Sequence, residues 1–113
     1  MNQQLHQFKA EFFKALGHSA RIDILEQLRS GEQCVNDLQA ALGIDQSTVS
    51  QQLAMLRNRN IVESRKEGTS VYYRVRDPLI FQLLDIARGI FNTQLISTQE
   101  LLQQLGSDGR VLS

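Results

Sequence analysis

The residues able to do chemistry in this chain of 113 are few, and their types exclude more than they permit. Cys34 is the only cysteine, so no intrachain disulfide can form and a secreted disulfide scaffold is excluded. The two histidines, His6 and His18, are too few and too separate to form a metal cluster. No paired carboxylates, Cys/His arrangement or glycine-rich phosphate loop is present, so neither an enzyme nor a bound cofactor is expected. What remains is hydrogen-bonding chemistry, concentrated in QSTVSQQLAMLRN at Gln46 to Asn58. At 100° per residue, the side opposite Val49 and Leu53 carries Ser47, Gln51, Ala54 and Asn58, flanked by Thr48 and Ser50. Small hydroxyls and amides, beside an alanine that permits close approach, suit a helix laid against base edges in a major groove. An ordinary solvated face is the plain alternative. Such faces are usually dressed with Glu and Lys, whereas this segment has no acid and only Arg57 as a base. The candidate DNA contacts on it are Gln46, Ser47, Thr48, Ser50, Gln51, Gln52 and Arg57.

Two short helices joined by a tight turn must hold that face in place. In the first, Val35, Leu38, Ala41 and Leu42 recur at i, i+3, i+6 and i+7 and form one apolar stripe. Gly43 ends it, because a residue without a Cβ takes a left-handed C-cap cheaply. Asp45 caps the second helix by accepting from the free amide of Thr48 or its neighbour. Val49, Leu53 and Leu56 then anchor this second helix on one side only, which is the pattern of a helix-turn-helix.

Charge is distributed to match. The formal net charge is zero, which at first sight argues against nucleic acid. From Arg57 to Arg76, however, six bases (Arg57, Arg59, Arg65, Lys66, Arg74, Arg76) face two acids (Glu63, Glu67), a surplus of four. Each flank carries a deficit of two: four bases against six acids before Arg57, and two against four after Arg76. The positive charge falls just after the candidate reading helix, where a phosphate-binding surface is needed. The chain is long enough for one domain with a modest core, and its composition is that of a soluble globular protein. No apolar run is long enough to span a bilayer, and Met1 to Ala10 lacks a signal-peptide apolar region. A cytoplasmic location without membrane contact is expected.

Taken in order, the chain opens with Leu5, Phe8, Phe12 and Leu16 on one helical stripe, widened by Phe13 and Ala15. So many aromatics so early call for a partner surface. Gly17 breaks this helix, and Ser19 can cap the next, whose core stripe is Ile22, Leu25 and Leu28. His18 and Arg21, near its amino end, fit either phosphate contact or plain solvation. Asn60 stands where the reading helix needs a left-handed residue to end it. Ile61 to Lys66 and Ser70 to Arg76 read as two strands around Glu67-Gly68-Thr69, a β-hairpin wing in which Arg65, Lys66, Thr69 and Ser70 are further candidate DNA contacts. Asp77-Pro78 starts a last long helix, broadly apolar through Leu79, Leu83, Ile86 and Ile90. Ser97-Thr98-Gln99-Glu100 fits a capping box, so Leu101 to Leu105 reads either as a separate helix or as a continuation. Residues 1–105 are expected to form one domain, with 106–113 a flexible tail.

This order of helix, helix, helix-turn-helix, wing and long helix resembles the ArsR/SmtB family of winged-helix transcriptional repressors. The resemblance covers about Phe8 to Phe91. Its strongest signatures are ALGHSARIDIL at Ala15 to Leu25, STVSQQLAMLR at Ser47 to Arg57, and KEGTSVYYRV at Lys66 to Val75. It implies a mainly α fold with a small β-hairpin, in the order α-α-α-α-β-β-α. It further implies a homodimer built by the first and last helices, binding a palindromic operator in double-stranded DNA and releasing it to a small effector. Leu5, Phe8, Phe12, Leu79, Leu83, Ile86 and Ile90 are the expected dimerisation residues, in agreement with the surplus apolar surface on both helices.

Many members of that family sense metals, and here the chain departs from their pattern. Where the thiolate site of those members has two cysteines around one residue, this chain has Cys34 and then Asn36. Asp77 matches the acid of the site on the last helix, but Leu79, Ile90 and Thr93 stand in the other ligand positions. A closed zinc site wants about four N or S donors, so no metal site is expected and Asp77 is better read as an N-cap. Cys34 is either a redox or persulfide sensor, or a small hydrophobe at the start of a buried helix. The competing reading of the whole chain is a winged-helix module that docks another protein; the clustered positive charge and the acid-free helix argue against it.

Overall fold

The structure is a computed structural model that describes residues 2–107. Five helices and three strands follow one another as α1 (Asn2–Leu16), α2 (Ser19–Gln27), β1 (Gln33–Cys34), α3 (Val35–Leu42), α4 (Gln46–Asn58), β2 (Val62–Glu67), β3 (Ser70–Val75) and α5 (Leu79–Ser107), with a 3₁₀ turn over Leu28–Ser30. Of these residues, those up to Phe81 form one compact unit and those from Gln82 another. The strands make one antiparallel sheet in the order β1-β3-β2. The hairpin of β2 and β3 was expected from sequence; β1 was not. It is two residues long, pairing Gln33 with Tyr73 and Cys34 with Tyr72, and it closes the inner edge of the wing.

The core of the first unit forms where the apolar stripes of α2, α3 and α4 meet. Ile24, Leu25, Leu38, Val49, Leu53 and Leu56 are fully buried there, and Leu28, Ile61 and Val62 nearly so. Each fully buried branched side chain contributes about 1.5–3 kcal/mol relative to exposure, enough to fix a helix as short as α3 that has little stability alone. Ala41, expected in the stripe of α3, is exposed; Leu38 carries that contact, with Val35 and Leu42 half-buried.

The helix ends follow local chemistry. Gly43 closes α3 at φ 66°, its N–H donating to the Gln39 carbonyl at 2.9 Å. Asn60 follows α4 at φ 60°, the one described non-glycine residue with positive φ. Asp77 starts α5 by accepting from the Leu79 N–H at 3.0 Å. At α2 the capping residue is His18 rather than Ser19: its backbone is extended, and its Nδ1 accepts from the Ala20 N–H at 3.2 Å. The last helix runs unbroken through Ser97–Glu100, so Leu101 to Leu105 continues it and the capping box goes unused. Thr98 Oγ1 instead donates to the Gln94 carbonyl at 2.9 Å, a bond made within a continuing helix. Gly106 and Ser107 belong to this helix; the rest of the expected tail, 108–113, lies outside the described residues.

Candidate nucleic-acid interface

The candidate reading helix, α4, is built from its amino end. Asp45 is extended at φ −69°, ψ 155°, and its carboxylate gathers the first turn of α4. Oδ2 accepts from the Thr48 N–H at 3.2 Å and from Ser47 Oγ at 2.6 Å, while Oδ1 accepts from Thr48 Oγ1 at 2.7 Å. These bonds, that from Ser47 first, hold the Asp45 carboxyl down to about 2, so it is ionised at neutral pH and complements the helix dipole. The two hydroxyls are thereby oriented as donors to Asp45, leaving their lone pairs as acceptors.

Along the outer face of α4, Gln46, Ser47, Ser50, Gln51, Ala54, Arg57 and Asn58 are exposed, and Thr48 is half-buried. Gln52 is placed otherwise. Its side chain is the one buried polar side chain among the described residues, 9% exposed, and its Oε1 accepts from Arg21 Nε at 2.8 Å. It lies on the inner stripe with Val49, Leu53 and Leu56, at i+3 from Val49, a spacing visible in the sequence. Arg21 is accordingly a structural donor: its Nη1 also donates to the Ala15 carbonyl at 2.9 Å, in the last turn of α1.

The wing turns at Gly68-Thr69, with Glu67 paired to Ser70 and Lys66 to Val71. Arg65, Lys66 and Thr69 are exposed there and Ser70 half-buried. Arg65 is engaged: Nε donates to Glu32 Oε1 and Nη1 to Glu67 Oε2, both at 2.8 Å, with the guanidinium 5.0 Å from the Tyr72 ring centroid. The bond from Arg65 pulls the Glu32 carboxyl below its ordinary value, and Glu32 in turn raises that of Arg65. Arg74 pairs with Glu63 at 2.6 Å, Arg59 with Glu11 at 2.9 Å, and Arg76 donates to Asn60 Oδ1 at 3.3 Å. Folding therefore brings Glu11 and Glu32 from the acidic flank onto the basic segment. Six bases there face four acids, a surplus of two rather than the four counted along the chain. Among the described residues, Arg57 and Lys66 are the members of that set with no acid or amide partner, and both are exposed.

Cys34 is half-buried at the N-cap of α3, its N–H donating to Asp37 Oδ2 at 3.4 Å. Donors for a metal do not converge on it: among the described residues no three His, Cys, Asp or Glu side chains come together, Asn36 occupies the neighbouring position, and Asp77 is spent on its cap. No helix of the described residues is long and apolar enough to cross a membrane. The expected dimerisation residues divide by exposure. Leu5, Phe8, Leu79, Ile86 and Ile90 are half or more exposed, whereas Phe12 and Leu83 are half-buried. Phe13, Phe91 and Ile96, outside that set, are exposed as well.

A helix held by one buried stripe, with an acid-free polar face outward and a β-hairpin after it, defines a winged helix-turn-helix. Residues 18–64 match the family described as bacterial regulatory protein, arsR family. An uncharacterised HTH-type transcriptional regulator of Mycobacterium tuberculosis, Rv0081, is 37% identical over 109 residues, 96% of either chain. Its crystal structure superposes with a TM-score of 0.76 at 39% identity, covering 83% of this chain and 95% of that one. The biofilm growth-associated repressor of Xylella fastidiosa strain Temecula1 is 38% identical over 85 residues, 75% of each chain. The homodimeric winged helix-turn-helix DNA-binding domain Mb0332 of Mycobacterium bovis, solved by NMR, gives a TM-score of 0.75 at 31% identity, covering 83% of this chain and 87% of that one. The chain belongs to the ArsR family of bacterial regulatory proteins, and it is a DNA-binding transcriptional regulator.

Proposed function

We propose that the chain acts as a homodimeric repressor that places α4 of each protomer in successive major grooves of a palindromic operator and leaves it when a small effector binds. The observation that carries this reading is the asymmetry of α4. Val49, Leu53 and Leu56 are fully buried, while Ser47, Ser50, Gln51 and Ala54 on the other side are exposed and uncharged. Gln46, Ser47, Thr48, Ser50 and Gln51 read base edges; Arg57, Lys66, Thr69 and Ser70 hold phosphates. Gln52 supports the helix from behind, and Arg65 reaches phosphate only by giving up its carboxylate partners. Repression and dimerisation are supported by the relatives: one is named a repressor, another is described as a homodimer. The exposed apolar residues of α1 and α5 supply a surface for the second copy, which a chain with this much apolar area uncovered needs. The departures from the metal-sensing pattern at Asn36, Leu79, Ile90 and Thr93 support an effector other than a transition metal.

The test is selection of bound sequences from random duplex DNA, followed by release assays with metals, thiol oxidants and small organic ligands. Recovery of an inverted repeat with half-sites about one helical turn apart is the expected result. Recovery of no enriched sequence, with a flat salt titration on duplex DNA, would replace this reading by a protein-docking role.

A further inference from the structure

We infer that Arg21 is a positioning residue for sequence reading: it fixes the rotation of α4 relative to α1 without itself touching DNA. The inference rests on the proposed role of α4 as the reading helix. The stripe that anchors α4, Val49, Leu53 and Leu56, is entirely apolar. Apolar contact is non-directional, so this stripe holds α4 against the core and opposes large rotations about the helix axis, but fixes small ones less sharply than a hydrogen bond does. One directional bond on that inner side supplies the missing constraint, between Gln52 Oε1 and Arg21 Nε at 2.8 Å. Gln52 lies one residue after Gln51 and one turn after Thr48, so a rotation set at Gln52 is felt directly by the exposed readers.

Arg21 is fixed in its turn. The last carbonyls of a helix lack partners within it and must be satisfied elsewhere. In α1 the Lys14 carbonyl accepts from the Gly17 N–H at 3.1 Å, the Leu16 carbonyl from the His18 N–H at 2.9 Å, and the Ala15 carbonyl from Arg21 Nη1 at 2.9 Å. The same guanidinium thus closes the end of α1 and grips the back of α4. Its planar fork has the geometry for this, because Nε and Nη1 point in fixed directions that a lysine ammonium cannot reproduce. If α1 helps join the two protomers, Arg21 also carries the placement of the interface to the placement of the reading face.

A residue acting this way has a signature that neither a phosphate contact nor a general stabiliser shares. Replacing Arg21 by Lys, or Gln52 by Leu, removes the directional bond while keeping side-chain bulk. Each variant is to be bound to the selected operator and to random duplex DNA over a range of salt, with thermal melting recorded in parallel. The expected result is a loss of about tenfold or more in affinity for the operator, in the range for a bond to a charged group, with affinity for random DNA and the salt slope unchanged. Gln52→Glu, which retains an acceptor for Arg21, should restore operator preference over Gln52→Leu. Equal losses on both DNAs with a salt slope shallower by about 0.9 per protomer would make Arg21 a phosphate contact and overturn the proposal. So would an operator preference equal to that of the wild type in both folded variants. Should Arg21→Lys melt too low to assay, Gln52→Leu and Gln52→Glu decide alone. A wild-type protein that does not prefer its selected sequence would instead sink the reading of α4 itself, and the two failures are separate.

Discussion

Arg65 of the wing and Glu32 of the turn before β1 are joined by a hydrogen bond of 2.8 Å from Nε to Oε1, across 33 positions of sequence. The bond docks the wing on the body of the domain, and it also occupies a cation that DNA phosphates would otherwise attract. An exposed pair of this kind contributes little to stability, so its main effect is on which anion Arg65 faces.

Removing that competition should strengthen DNA binding. Glu32→Gln is expected to raise affinity for duplex DNA of any sequence and to steepen the dependence of log K on log salt by up to about 0.9 per protomer, one added phosphate contact. Fluorescence anisotropy on random duplexes across a salt series measures both. An unchanged slope would mean that Arg65 stays with Glu67 and Tyr72 in the complex.

The cap of α4 sets a pH dependence whose sign is fixed. The Asp45 carboxyl is lowered from 3.8 to about 2 by Ser47, by Thr48 and by the Thr48 N–H. A depressed folded value means that its contribution to stability is fully present above about pH 4 and fades as pH falls toward 2. Asp45→Ala should therefore melt below the wild type at pH 7, and the gap should narrow steadily between pH 4 and 2. A gap independent of pH over that range would show that the carboxylate charge contributes nothing to the cap.

How far the structure could be read from the chain follows from the range of each interaction. The turn at Gly43, the left-handed Asn60, the caps at Asp45 and Asp77 and the hairpin around Gly68 are all decided within a few residues, and local chemistry announces them. Pairings over long separations are not announced. Nothing near Glu11 or Glu32 points to Arg59 or Arg65, so the basic segment looked more positive than the folded surface is. The short β1 has no alternating pattern of its own and exists because β3 offers it an edge. Gln52 is a different case: its spacing from Val49 and Leu56 puts it on the inner stripe, but its amide made it a candidate DNA contact, and the half-buried Arg21 that satisfies it lies 31 positions away. The choice between a break and a continuation at Ser97 depended on whether its hydroxyl neighbours would leave the helix, and Thr98 bonds back to Gln94 instead.

Dimerisation should respond to residues that the single chain leaves uncovered. Phe8 and Ile90 are 63% and 56% exposed, so a charge there costs the isolated protomer little. At an interface the same charge would be buried unpaired, a penalty large enough to separate a small dimer. Phe8→Glu and Ile90→Glu are each expected to sediment as folded monomers and to lose operator affinity. Phe12 is a poorer probe, because it is already half-buried in the single chain, where its ring meets Phe13 edge-on at 5.6 Å. A Phe8→Glu protein that sediments as a dimer would remove α1 from the interface.

Base reading and phosphate holding should separate cleanly at Gln51 and Lys66. Gln51 is exposed on the outer face of α4, where its amide can pair with the edge of an adenine through both donor and acceptor, a contact that carries about 1–3 kcal/mol of discrimination. Lys66 is exposed in the wing with no ion pair among the described residues, and an ammonium meets any phosphate alike. Gln51→Ala should therefore lose about 1–3 kcal/mol on the selected operator, leave random DNA unaffected, and keep the salt slope. Lys66→Ala should weaken binding to both DNAs similarly and flatten the slope by about 1 per protomer. Gel shifts on the operator, on a half-site variant and on random duplex at three salt concentrations distinguish the two patterns. If Gln51→Ala weakens all three DNAs equally, that side chain holds backbone rather than bases, and the reading role passes to Ser47 and Ser50. Exposure alone would not distinguish these residues, since Gln51 and Lys66 are both open to solvent; the distinction comes from where each sits, one on the outer face of α4 and one on the hairpin of β2 and β3.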